Sequence, residues 1–145
     1  MTVFEMIDIR NTIDGVLDIK CSSEFEHLDT IVDRSEEFLA SLIEDEELAY
    51  KVVLLLSEAV TNAIEHGNKL DASKHVTISL EVKPKKVTIT VEDQGEGFDR
   101  GQLKDPIDGA NLLNDGGRGI FFIQEMADAY HLENGGRRVH IIFNR

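Results

Sequence analysis

The chain has 145 residues, with 15 Lys and Arg against 28 Asp and Glu, for a formal charge of −13. This length is enough to bury a sizeable core in one domain, and the single cysteine, Cys21, excludes an intrachain disulfide or a thiolate metal cluster. The acidity argues against direct nucleic-acid binding and against electrostatic docking on an anionic membrane, both of which need a basic face.

Val3 to Arg10 reads as a strand and Val16 to Cys21 as a second, joined by a turn near Asp14-Gly15. Met1–Arg10 carries Glu5 and Asp8 and does not pattern as a signal peptide. No apolar run approaches the roughly 18 residues of a membrane helix, so a cytoplasmic setting is expected. Ser23 followed by Glu26 fits a capping box, and Phe25, Leu28, Ile31, Val32, Phe38, Leu39 and Leu42 keep helical spacing to about Ile43. The acidic cluster Glu44-Asp45-Glu46-Glu47 suits the N-terminus of a second helix, running from about Glu46 to His66 and stopping at Gly67.

His75–Val82 and Lys86–Asp93 alternate apolar and polar residues around Lys83-Pro84-Lys85, which predicts a hairpin. Gln94–Gly119 is glycine-rich and too long for a passive connection. Ile120–Ala127 reads as a short apolar helix, and Ala129–Glu133 with Arg138–Asn144 as a hairpin about Asn134-Gly135-Gly136. There is no repeat or linker, so 1–145 is expected to be one domain. Its order, ββ-α-α-ββ-loop-α-ββ, predicts an α/β (α+β) two-layer sandwich with helices on one face of a mostly antiparallel sheet.

Residues 1–50 hold fourteen acidic and three basic residues, whereas 51–145 are nearly balanced. The excess acid is therefore local. It is either a solvated face or an interaction surface for a basic partner.

Three clusters carry the chemistry. In Ser57-Glu58-Ala59-Val60-Thr61-Asn62, Glu58 and Asn62 stand four apart and share a helix face, with a carboxylate able to accept a proton and an amide oxygen able to hold a hard cation. In Asp93-Gln94-Gly95-Glu96-Gly97-Phe98, a carboxylate at a strand end precedes glycines that allow close approach of backbone to a ligand. In Asp115-Gly116-Gly117-Arg118-Gly119-Ile120, glycines open into a helix whose free N–H groups suit a phosphate, with Arg118 as a nearby cation. Each alone reads as readily as a solvated stripe, a glycine turn or a capped loop. Neither a P-loop nor a dinucleotide-binding fingerprint is present.

In this order and spacing, from about Val16 to Phe143, the clusters resemble the N, G1 and G2 boxes of the GHKL superfamily of ATPases. The match is closer still to its anti-sigma regulatory factor serine-protein kinase branch. The resemblance implies a Bergerat-type, histidine-kinase-like ATPase fold, built on a mostly antiparallel mixed sheet. It implies ATP (or ADP) and Mg²⁺ as cofactors. It makes Asn62 the magnesium ligand, Glu58 the general base, and Asp93 the reader of the adenine amino group. Gly95 and Gly97 would line the base pocket, Gly117, Arg118 and Gly119 would meet the phosphates, and about 99–116 would form an ATP lid. The implied function is an anti-sigma factor with serine/threonine kinase activity, sequestering a sigma factor and phosphorylating an anti-anti-sigma (STAS-type) antagonist. A homodimer is a further possibility raised by the relatives. Asp115-Gly116 stand where some relatives carry a basic residue. That departure keeps open the alternative of an ATP-binding partner switch without significant kinase turnover. A two-component histidine kinase module fits less well: His27 lies on what reads as the domain's own first helix, with no second dimerisation helix.

Overall fold

In the computed structural model, residues 7–12, 14–96 and 117–145 are described, and for 117–121 only the backbone. Six strands form one sheet in the order β1-β2-β3-β4-β6-β5, where β1 is Ile7–Thr12, β2 Val16–Ser22, β3 His75–Val82, β4 Lys86–Glu92, β5 Ala129–Glu133 and β6 Arg138–Asn144. All five pairings are antiparallel, so the sheet has no parallel pair among the described residues, a simpler sheet than the mixed one expected. Helices α1 (Leu28–Ala40), α2 (Glu46–Asn62) and α3 (Gly117–Met126) supply the second layer.

Alternation sets the register. Leu17 and Ile19, Val76, Ile78 and Leu80, and Val87, Ile89 and Val91 face the helices and are buried, while Asp18, Lys20 and Thr77 face solvent. Each buried valine or isoleucine contributes about 1.5–3 kcal/mol, so a one-residue slip would expose a whole row of them.

Helix α2 is central, packing on α1, α3 and β4 through Val52, Leu55, Leu56, Ala59 and Val60. Its start follows from the acidic cluster. Asp45 is the N-cap, and its Oδ1 accepts from the amides of Glu47 (3.1 Å) and Leu48 (3.2 Å). Glu46 and Glu47 in the first turn oppose the positive end of the helix dipole.

Two expectations about helix ends are corrected. The Ser23–Glu26 capping box does not form. Ser23 Oγ donates to the Lys74 carbonyl (2.8 Å) and accepts from Asn68 Nδ2 (2.7 Å), so it is spent on tertiary contacts, and a 3₁₀ turn, Phe25–His27, precedes α1. The second helix is not α-helical to His66. Beyond Asn62 it widens into a π turn, Ala63–Gly67, with Asn68 N–H donating to the Ala63 carbonyl (2.8 Å). The left-handed residues that redirect the chain are Lys69 (φ 53°) and Leu70 (φ 60°), not Gly67.

Candidate functional site

The π turn and the end of β4 meet, and that junction builds the site. Strand β4 stops at Glu92, and the next residue, Asp93, is only 8% exposed although it carries a carboxylate. Its backbone N–H donates to the Arg137 carbonyl (2.9 Å), continuing the β4–β6 pairing by one residue. Its Oδ1 accepts from the Gly95 amide (2.8 Å), while Oδ2 takes no hydrogen bond among the described residues.

Gly67 and Gly95 are glycines because of this carboxylate. A Cβ on Gly67 would collide with the Asp93 carboxyl group, and a Cβ on Gly95 with the Gly67 carbonyl oxygen. Two backbone segments thus close on one side chain at distances only glycine permits.

Asn68 locks the junction and is fully buried. Its Nδ2 donates to Ser23 Oγ (2.7 Å) and to the His75 carbonyl (2.9 Å), and its Oδ1 accepts from the Gln94 amide (2.7 Å). Gln94 Oε1 in turn accepts from the His75 amide (2.6 Å). One side chain therefore ties the π turn to β2, β3 and the turn that presents Asp93. A buried amide with its donors and its acceptor all engaged is a rigid joint.

Asp93 opens into a cleft between α2, α3 and the β4-β6-β5 edge of the sheet. Ala59, Ala63, Val91, Ile123, Leu132 and Val139 form its apolar walls, and Asn62, Tyr130, Gly136 and Arg137 complete the lining. Burial pushes the Asp93 carboxyl above its ordinary range, and the Gly95 amide and the Arg137 guanidinium hold the rise back. A buried acceptor amid apolar walls suits a hydrogen-bond donor on an otherwise apolar ligand group. Glu58 and Asn62 are half-buried, one turn apart on α2, and neither side chain makes a hydrogen bond or ion pair among the described residues. Of the two, Asn62 lines the cleft with Asp93 and Glu58 does not.

Helix α3 begins at Gly117, so Gly117, Arg118 and Gly119 form its first turn, and the same helix sends Ile123 into the cleft. Gly97 and the expected lid, about 99–116, lie outside the described residues.

The histidine kinase-like ATPase domain family matches residues 21–143. The chain belongs to this family. Curated relatives include serine-protein kinase RsbW of Staphylococcus epidermidis, 33% identical over 93 residues, which is 59% of this chain and 55% of that protein. RsbW of Bacillus subtilis (strain 168) is 30% identical over 87 residues, 56% of this chain and 54% of its own. RsbW of Staphylococcus aureus (strain JH9) is 32% identical over 93 residues, with 59% and 55% covered. The chain spans about half the length of the curated relatives it matches.

Within this ATPase domain, sequence reasoning found Asn62 and Asp93, which share the cleft, and Gly95, which packs beside Asp93. It missed Asn68 and Arg137. Asn68 follows Gly67 directly but reads as a loop polar residue, and its partners lie 45 and 26 positions away at Ser23 and Gln94. Arg137 is legible only through the β4–β6 register, which sets Glu92 opposite Arg138. His27, read as part of the first helix, closes the 3₁₀ turn before it and is buried, with Nε2 3.0 Å from Ser22 Oγ and 3.4 Å from Glu24.

Proposed function

We propose that the chain binds Mg-ATP in the Asp93 cleft and acts as an anti-sigma factor with serine/threonine kinase activity, sequestering a sigma factor and phosphorylating a STAS-type antagonist. The observation that carries this reading is the buried carboxylate of Asp93 at the head of an apolar cleft, in a domain of the ATPase family whose relatives are named serine-protein kinases. Asp93 accepts a hydrogen bond from the adenine amino group, and the apolar walls exclude water from the base. Gly95 and Gly97 let the backbone approach the ring. The Asn62 amide oxygen would hold Mg²⁺, which would supply charge neutralisation at the phosphate oxygens. The first turn of α3, with Gly117, Arg118 and Gly119, meets the phosphates with N–H groups and the positive helix end. Glu58 accepts the proton of the antagonist's hydroxyl as its oxygen takes the terminal phosphoryl group, and ADP leaves. A cytoplasmic setting suits this role, and among the described residues no helix is long and apolar enough to cross a membrane.

The test is phosphoryl transfer from labelled Mg-ATP to candidate STAS-type domains, with Glu58→Gln as the control. Transfer is expected to fall by about 10²-fold or more in the variant, while ATP affinity stays near that of the parent. Tight ATP binding with no transfer, from a chain that demonstrably holds the antagonist, overturns the kinase and leaves a nucleotide-dependent partner switch.

A further inference from the structure

A second concave surface lies away from the nucleotide cleft, on the outer side of the helical layer. The N-terminal half of α2 and the facing side of α1 frame a groove whose apolar floor comes from Val32, Ile43, Ala49, Val53 and Leu54. Tyr50 stands on its rim, 67% exposed, a large aromatic left in water. Glu36, Glu44 and Glu46 also line it, all exposed and none in an ion pair among the described residues. No Lys, Arg or His is among the lining residues. The neighbouring Glu47 is different, since it pairs with Lys51 at 3.6 Å. The groove therefore couples an apolar floor to a rim of uncompensated negative charge.

We propose that this groove docks a cationic amphipathic helix of a partner protein, its apolar stripe on Val53 and Leu54 and its lysines or arginines against Glu36, Glu44 and Glu46. Charge complementarity decides the occupant. A second copy of this chain would bring the same carboxylates face to face across a two-fold axis, which like-charge repulsion opposes. A basic helix neutralises them while covering Tyr50. The proposal rests on the anti-sigma reading only in that the latter requires a protein partner. The groove and the nucleotide cleft share no lining residue: along α2 the groove ends at Ser57 and the cleft takes Ala59 and Asn62.

The probe is a synthetic Leu/Lys amphipathic peptide of about five helical turns, titrated into the full chain, with affinity read by calorimetry and the binding surface by backbone amide shifts. Shifts are expected to cluster on α1 and the first half of α2. Glu36→Lys or Glu46→Lys is expected to weaken binding about fivefold or more, and Tyr50→Ala about tenfold. Asp18→Lys makes the same charge change on the solvent face of the sheet and is expected to stay within about twofold. Replacing the peptide's leucines by serine should abolish binding. Equal loss with Asp18→Lys, or undiminished binding of the serine peptide, overturns the proposal by reducing the effect to net charge. So does a dimer of the unmixed chain in sedimentation that Tyr50→Ala dissolves, because the occupant is then a second copy. Mg-ATP affinity is measured on the same samples. Its absence in the parent chain defeats the nucleotide reading and leaves the groove result standing.

Discussion

Asp93 concentrates the physics of the site in one side chain. Its carboxyl is raised above the ordinary value of 3.8, first by burial, with Glu92 adding to the rise and the Gly95 amide, Arg137 and Lys74 opposing it. A carboxyl whose folded value is raised favours the fold below its unfolded value, and that contribution is lost as pH climbs through the folded value. Asp93→Asn removes this dependence. The stability of the variant relative to the parent should therefore grow as pH rises from about 4 towards neutrality, then level off, as read from urea midpoints across a pH series. A flat or opposite trend would show that the carboxylate is not held against its desolvation. The same variant replaces a charge-assisted acceptor by a neutral one, so ATP affinity at neutral pH should drop about tenfold or more. The parent should lose affinity too as acid protonates Asp93.

At the scale of elements, the site exists because three segments end at one point: the π turn after α2, the start of β3 and the end of β4. Asn68 is their shared partner, and its hydrogen bonds reach Ser23 in β2's wake, His75 and Gln94. Asn68→Ala takes the acceptor from the Gln94 amide and a donor from the His75 carbonyl and the Ser23 hydroxyl, which keeps only its bond to the Lys74 carbonyl. The expected cost is about 2–3 kcal/mol, seen as a lower melting temperature, together with weaker ATP binding as the turn carrying Asp93 loosens. Loss of stability with unchanged nucleotide affinity would confine Asn68 to a packing role. The widened turn also explains why the helix keeps Glu58 and Asn62 in register up to its last α-helical residue and only then departs. The expected stop at Gly67 had the right residue for the wrong reason. Gly67 is required by the approach of the Asp93 carboxyl, while Lys69 and Leu70 take up the left-handed conformation.

For the whole molecule, the charge of −13 divides along the architecture. The acidic first third contributes the rim of the outer groove, and the nearly balanced remainder surrounds the cleft proposed for ATP. A ligand that binds only the folded chain stabilises it, by about 2.7 kcal/mol at a hundred times its dissociation constant. Mg-ATP should therefore raise the melting temperature by several degrees. GTP, which presents a carbonyl where adenine carries the amino group, should raise it far less. Equal shifts with both nucleotides would remove Asp93 from base recognition.

The sequence by itself determined the order of elements, the face of each strand that is buried and the family. Alternation and helical spacing are local signals, and Asn62, Asp93 and Gly95 stand in short motifs that survive without coordinates. That they serve one site was implied by the family resemblance of the three clusters in that order, not by any one motif. Tertiary structure alone decided the rest. Ser23, which reads locally as a helix cap, is drawn away by Asn68 and Lys74, because leaving the buried Asn68 amide without its acceptor would cost more than leaving a helix end uncapped. Arg137 and Asn68 join the site through partners dozens of residues away, and a pairing across that separation has no local signature. The groove between α1 and α2 belongs to the same class, since only the docking of two helices shows which of the fourteen acids of the first third share a concave surface.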